Sequence, residues 1–136
     1  MIDPEALIAA EAVQKLVPRL SPTHDVFWEN DGQLDTTTQT RPFVIVSIGI
    51  NFSRQASRED NPIIRRDGDV VFYAYQKSGS GTAEVREALR ACAEAFELAN
   101  VSGIQFQAAD SSVPASRPGW YGQARLVPFY YQESRS

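Results

Sequence analysis

From Phe43 to Phe52 the chain alternates regularly: Val44, Val46, Ile48, Ile50 and Phe52 share one side, while Phe43 and Ile45 begin a second side that turns polar at Ser47 and Asn51. Successive side chains of an extended backbone point to opposite faces, so this spacing predicts a central strand. It should be buried on one face throughout and on both faces near its start. Period two returns from Ile63 to Gln76, where Asp67-Gly68-Asp69 reads as a turn or a bulge, and again from Ile104 to Ala108. A last strand is expected from Gly119 to Tyr131, where Trp120, Gly122, Ala124 and Leu126 oppose Tyr121, Gln123, Arg125, Val127, Phe129 and Tyr131. Pro128 cannot donate to a ladder, which predicts an aromatic strand at a sheet edge or one broken by a bulge. Val26-Phe27-Trp28 adds a short strand.

Two segments follow the helical period instead. Asp3 suits an N-cap, Pro4 the first helical position and Glu5 the positive end of the dipole, with Ile2 and Leu7 at staple spacing. Leu7, Ile8, Ala12, Val13, Leu16 and Leu20 form the apolar side, and Pro18 and Pro22 are expected to end the helix. Thr82 should cap a second helix in which Val85, Leu89, Cys92 and Phe96 make one stripe. Arg86, Glu87, Arg90, Glu94 and Glu97 hold its solvated side, and Asn100 and Gly103 close it. Residues 30–42, Ser53 to Pro62, Lys77 to Gly81 and Asp110 to Pro118 are polar connections. The expected fold is one α/β (α+β) domain over residues 1–136, in the order α-β-β-β-α-β-β. A mixed, mostly antiparallel sheet of roughly five strands should pack two helices on one face.

Length fits that single domain: 136 residues bury roughly 65–70% of the surface that the unfolded chain exposes. A hydrophobic content of 43% with 22% charged residues is too apolar for a disordered chain. A net charge of −4 argues against a surface built to grip nucleic acid, which needs clustered Lys and Arg. The lone Cys92 excludes an internal disulfide and reads as a core thiol. There is no stretch of about 18 apolar residues and no basic segment leading into an apolar one, so a soluble protein made in a cytoplasm, with no membrane partner, is expected.

Chemistry is sparse. His24, the single histidine, sits beside Asp25 in a Pro-flanked loop and reads as an exposed side chain, without the further ligands a metal needs. Ser78-Gly79-Ser80-Gly81 is not a nucleophile elbow. Lys77 to Thr82 joins a strand to a helix start, a place where backbone N–H groups can hold an anion, but its lysine precedes the glycines instead of following them. Glu59-Asp60 and Asp67/Asp69 lie in turns without an acid or base partner. No catalytic, cofactor-binding or metal-binding residues are expected, and the protein is not read as an enzyme.

The order and spacing of the segments carry a resemblance. From Arg65 the chain has a strand with Gly68, then Val70-Val71-Phe72-Tyr73-Ala74-Tyr75, then Gly79-Ser80-Gly81-Thr82 and an Ala-rich helix ending near Phe96. Together with Gly103-Ile104-Gln105-Phe106, the closing Trp120 and Val127-Pro128-Phe129-Tyr130-Tyr131, the opening helix and Phe43-Val44-Ile45-Val46, this resembles the tail terminator-like proteins of long-tailed bacteriophages. The resemblance covers most of the chain and rests on no single motif. It implies a structural virion protein at the head-proximal end of the tail, assembled in the host cytoplasm. Its self-association would be a homo-oligomeric ring, usually a hexamer in that family, that caps the tail tube, stops its polymerisation and offers a surface to the head–tail connector. Genomic DNA would pass through the lumen without sequence-specific contacts, which the acidic charge suits. The candidate tube or subunit interface is Arg54, Arg58, Glu59, Asp60, Arg65 and Arg66 in polar loops, with Phe129, Tyr130 and Tyr131 on the last strand. Other neck or tail-assembly proteins of similar fold, and a small anion- or nucleotide-binding module, are the alternatives.

Overall fold

The computed structural model describes residues 3–29, 39–55 and 63–134, without the side chains of 51–55 and 134. Asp3 is extended and accepts a hydrogen bond from the Ala6 N–H at 3.2 Å, so helix α1 (Pro4–Lys15) begins where its cap and its proline place it. Ile2, the other half of the expected staple, lies outside the described residues. Pro18 interrupts the helix instead of ending it. Lacking an N–H for the preceding turn, it forces a break at Leu16, and the chain then makes one further turn, α2 (Val17–Leu20).

One mixed, mostly antiparallel sheet carries the rest. Strand β1 (Asp25–Trp28) runs parallel to β2 (Phe43–Gln55), and β2 pairs antiparallel with β3 (Ile63–Lys77). After helix α3 (Ala83–Phe96) come the short strands β4 (Asn100–Val101), β5 (Ile104–Phe106) and β6 (Val113–Pro114), then β7 (Trp120–Ser134). The sheet order is β1-β2-β3-β7-β5-β4, with β6 also on β7. The expected class and element order therefore hold, with α2, β4 and β6 as short additions.

Three expectations are corrected. Strand β2 extends to Gln55, so Ser53 to Gln55 lie opposite Arg66 to Ile64 and are not loop. Asp67-Gly68-Asp69 stays in the strand. The irregularity falls on the other side, where Asn51 is the extra residue between the pairs Ile50–Gly68 and Phe52–Asp67. Finally, β7 is not an edge: β3 flanks it on one side and β5 and β6 on the other. Pro128 is tolerated there because the N–H it lacks would face Gln107, whose carbonyl is served from elsewhere. Gln107 donates its N–H to the Pro128 carbonyl at 2.8 Å, while the Gln107 carbonyl accepts from the Leu98 N–H at 3.3 Å.

The helices cover one sheet face. There Phe72, Phe96, Phe106, Phe129 and Tyr131 form a continuous chain of rings from β3 through α3 and β5 to β7, with successive centroids 5.7, 5.2, 5.5 and 6.5 Å apart. Val44, Val46, Val70 and Val127 fill the same layer with Ile8 and Leu16. The opposite face holds a smaller cluster, Phe43, Tyr75 and Trp120, so β2 is buried on both faces at its start as expected. Its burial does not persist, since Ile50 is 44% exposed.

Gly68 explains why a glycine interrupts the apolar run of β3. A Cβ there would lie 2.3 Å from the Gly49 carbonyl oxygen and 2.6 Å from the Phe129 ring, which lies flush on the β3 backbone. Gly68→Ala should cost about 1–3 kcal/mol in urea unfolding. Phe129→Leu should destabilise on its own, and the double variant should lose less than the two single losses combined, because the smaller side chain vacates the space that the new methyl needs.

Candidate functional site

Past Gly68 on β3 and Tyr131 on β7 there are no further fully buried positions, yet the strands continue in register to the pairs Ile64–Glu133 and Ile63–Ser134. The projecting tip is held by polar contacts instead of a core. Arg65 lies over the Tyr130 ring, 4.2 Å from its centroid, and donates from Nε and Nη2 to Asp67 Oδ1 at 3.1 and 3.0 Å. On the other face Arg66 Nε donates to Glu133 Oε1 at 2.9 Å. Burial and the nearby Glu133 carboxylate raise the Tyr131 pKa above its ordinary value, so its phenol stays neutral.

The sequence-predicted interface residues are thus divided. Arg65 and Tyr130 share one face, and Arg66 lies on the other, because neighbours on a strand point oppositely. Phe129 and Tyr131 are buried at 1% and 3% exposure, so their rings belong to the subunit core and leave Tyr130 nearer the surface. Arg54 falls opposite Arg65 on β2, its side chain being outside the description, as are Arg58, Glu59 and Asp60 altogether. Asp67, which the sequence reads as a turn carboxylate without a partner, instead lies in β3 and fixes Arg65, and Glu133, which the sequence does not single out, fixes Arg66. Extending the alternation past Tyr131 would have found Glu133.

The glycine-rich turn is occupied from within. Gln76 is fully buried at the end of β3; its Oε1 accepts from the Val85 N–H at 2.8 Å and its Nε2 donates to the Gly81 carbonyl at 2.8 Å. The strand, and not Thr82, therefore caps α3, since the Thr82 side chain makes no capping bond. An N–H that an anion would need is already taken. Gln76→Leu should cost about 1–3 kcal/mol, because it leaves the buried Val85 N–H without a partner. Thermal melts of the two proteins would measure it.

His24 is also buried, at 4% exposure, which corrects its reading as an exposed loop side chain. Its Nδ1 lies 2.7 Å from Thr23 Oγ1 and its Nε2 3.2 Å from the Glu84 carbonyl oxygen, so it joins the α2–β1 connection to the start of α3. The neutral form with the proton on Nε2 satisfies both contacts. Desolvation lowers its pKa below the ordinary 6.5, against the raising effect of Glu84. Burial likewise pushes the Cys92 thiol well up, which leaves it unreactive. Among the described residues no group of three or more His, Cys, Asp or Glu could hold a metal ion, and no helix is long and apolar enough to cross a membrane.

An open cleft of about 380 Å³ lies between α1 and the β1–β2 edge, with Trp28, Val46 and Ile48 along one side and Asp3, Glu5 and Glu29 among its lining. Glu29 accepts a hydrogen bond from the Ser47 hydroxyl.

No known protein family and no curated protein matches the chain. One solved structure, of a protein without a descriptive name, superimposes with a TM-score of 0.60 at 13% identity, over 97% of this chain and 98% of that one. A likeness at that identity concerns the fold alone, and it spans the whole domain.

Because the folded His24 binds its proton less readily than the unfolded one, its contribution to stability is complete above about pH 6.5. It is lost as pH falls from there toward the lower folded value. The melting temperature should therefore drop more between about pH 7 and pH 5 in the natural protein than in His24→Gln, which has no imidazole to charge.

Proposed function

We propose that this chain is a structural subunit of a phage tail: a terminator that forms a ring on the head-proximal end of the tail tube, halts its growth and presents a surface for head joining. The observation that supports this reading is the tip of the sheet. Strands β3 and β7 remain paired beyond their last buried positions, Gly68 and Tyr131, where burial no longer offsets the cost of ordering them. Two arginine–carboxylate pairs and a cation–ring contact hold Arg65, Arg66 and Tyr130 in place. A stiffened polar tip on a closed core suits docking onto another subunit better than it suits catalysis in a pocket. The sequence resemblance agrees with it, and a ring requires the heterologous, closing contacts that such a projection can make.

Electron microscopy of tail tubes grown with the purified protein tests the reading. Tubes of fixed length, each with extra density at one end, are expected. Replacing Arg65 and Arg66 together by Glu should loosen the tip while the core beneath it stays folded, and give overlong tubes or tails that fail to join heads. Tubes whose length is unaffected by the natural protein would refute terminator activity and leave a different neck or assembly role.

A further inference from the structure

Leu98 stands where the local backbone least favours it. Phe96 to Ala99 form a type II turn: Glu97 is extended at φ −52° and ψ 128°, Leu98 has a φ of +61°, and the Ala99 N–H donates to the Phe96 carbonyl at 3.0 Å. The third position of such a turn suits glycine, because a Cβ is strained in the left-handed region. The leucine gains no burial in return. At 68% exposure it is the most exposed large hydrophobic side chain of the described residues. A strained backbone that holds an apolar side chain out in solvent is a cost that docking can offset.

We infer that Leu98 joins neighbouring copies of this chain by entering the cleft between α1 and the β1–β2 edge of the next copy. That cleft holds about 380 Å³, with Ala6, Ala9, Trp28, Val46 and Ile48 as apolar lining, which gives room for a branched aliphatic side chain and the turn that carries it. Anchor and cleft lie at opposite margins of the sheet. Trp28, Val46 and Ile48 belong to β1 and β2, whereas Leu98 leads into β4 and donates its N–H to Gln107 just past β5. A contact of this kind leaves one cleft and one leucine free on each pair, so it repeats head to tail and closes as a ring. The charges agree with it. Asp3, Glu5 and Glu29 line the cleft, while the margin of Leu98 carries Arg125, which bonds the Asp110 carbonyl and no carboxylate. The inference rests on the ring proposed above and names the contact between its subunits.

Light scattering of the full chain, at the concentration that controls tube length, should give a multiple of 15.1 kDa. Leu98→Gly removes the anchor and the strain together. It should raise the dissociation constant of the assembly by about thirtyfold or more, the loss of an interface anchor. The melting temperature of the dilute, dissociated subunit should not fall, because glycine suits the left-handed position. A leucine that served only its own subunit would give the reverse pair of results. As a second measurement, Glu5→Cys and Ala99→Cys place thiols at the cleft and beside the anchor, while the native Cys92 is buried and silent. A short bis-maleimide should link a mixture of the two variants into covalent dimers and leave each variant alone unlinked. A monomeric mass, an assembly unchanged by Leu98→Gly, or a mixture that does not cross-link would each overturn the contact. If tube length is still controlled in that case, the terminator reading stands without it. Tubes of uncontrolled length with the cross-link intact would refute the terminator reading and uphold the contact.

Discussion

The antiparallel ladder between β3 and β7 is the constraint on which the rest of the structure hangs. It runs the whole length of both strands, from Ile63–Ser134 to Lys77–Trp120, and its alternation divides every neighbouring side chain between two faces. On one face the division supplies Val70, Phe72, Val127 and Phe129 to the helices. On the other it supplies Tyr75 and Trp120 to a smaller cluster and leaves a half-buried surface uncovered. The two glycines of these strands that approach a ring, Gly68 under Phe129 and Gly122 under Tyr75, let those rings lie against backbone. Ladder, core and tip therefore share one register, and a slip by one residue would exchange the two faces.

The same period made much of the fold legible in the sequence. Val44 to Ile48, Val70 to Tyr75 and Trp120 to Tyr131 were read as strands with the correct sides, and the stripe Val85, Leu89, Cys92, Phe96 as the buried side of a helix. What stayed hidden depends on distant partners. Pro128 looked like an edge residue because only the folded chain shows Leu98 serving the Gln107 carbonyl in its place. His24 looked exposed because its contact with the Glu84 carbonyl spans sixty residues of sequence. Gln76 read as the end of an alternating strand, and nothing local marks it as the cap of the following helix. For the candidate site, the sequence puts Arg65 and Arg66 in a polar loop and Phe129 and Tyr131 on an exposed strand, whereas the fold sets the two arginines within β3 and the two rings in the core.

The molecule thus shows a division between its two ends. Around α3, the buried polar groups are satisfied internally: Gln76 bonds Val85 and Gly81, and His24 bonds Thr23 and Glu84. At the tip, strand pairing outruns the core, and a carboxylate oxygen of Asp67 is left unbonded. His24 and Cys92, which draw the eye in the sequence, are both buried fittings of the α3 end.

The central place of β7 has a consequence for how the chain reaches this state. Every other described element precedes β7 in sequence, yet β3 has its long second edge open until β7 arrives. While the chain is being synthesised, the β2–β3 hairpin must therefore wait with one apolar face and one unpaired backbone edge, the conditions under which nascent strands stick to one another. Contacts so far apart in sequence also make for slow folding. Loss of the last fifteen residues of the described chain would remove the middle of the sheet, not its margin, and would leave β5 and β6 without the strand that holds them.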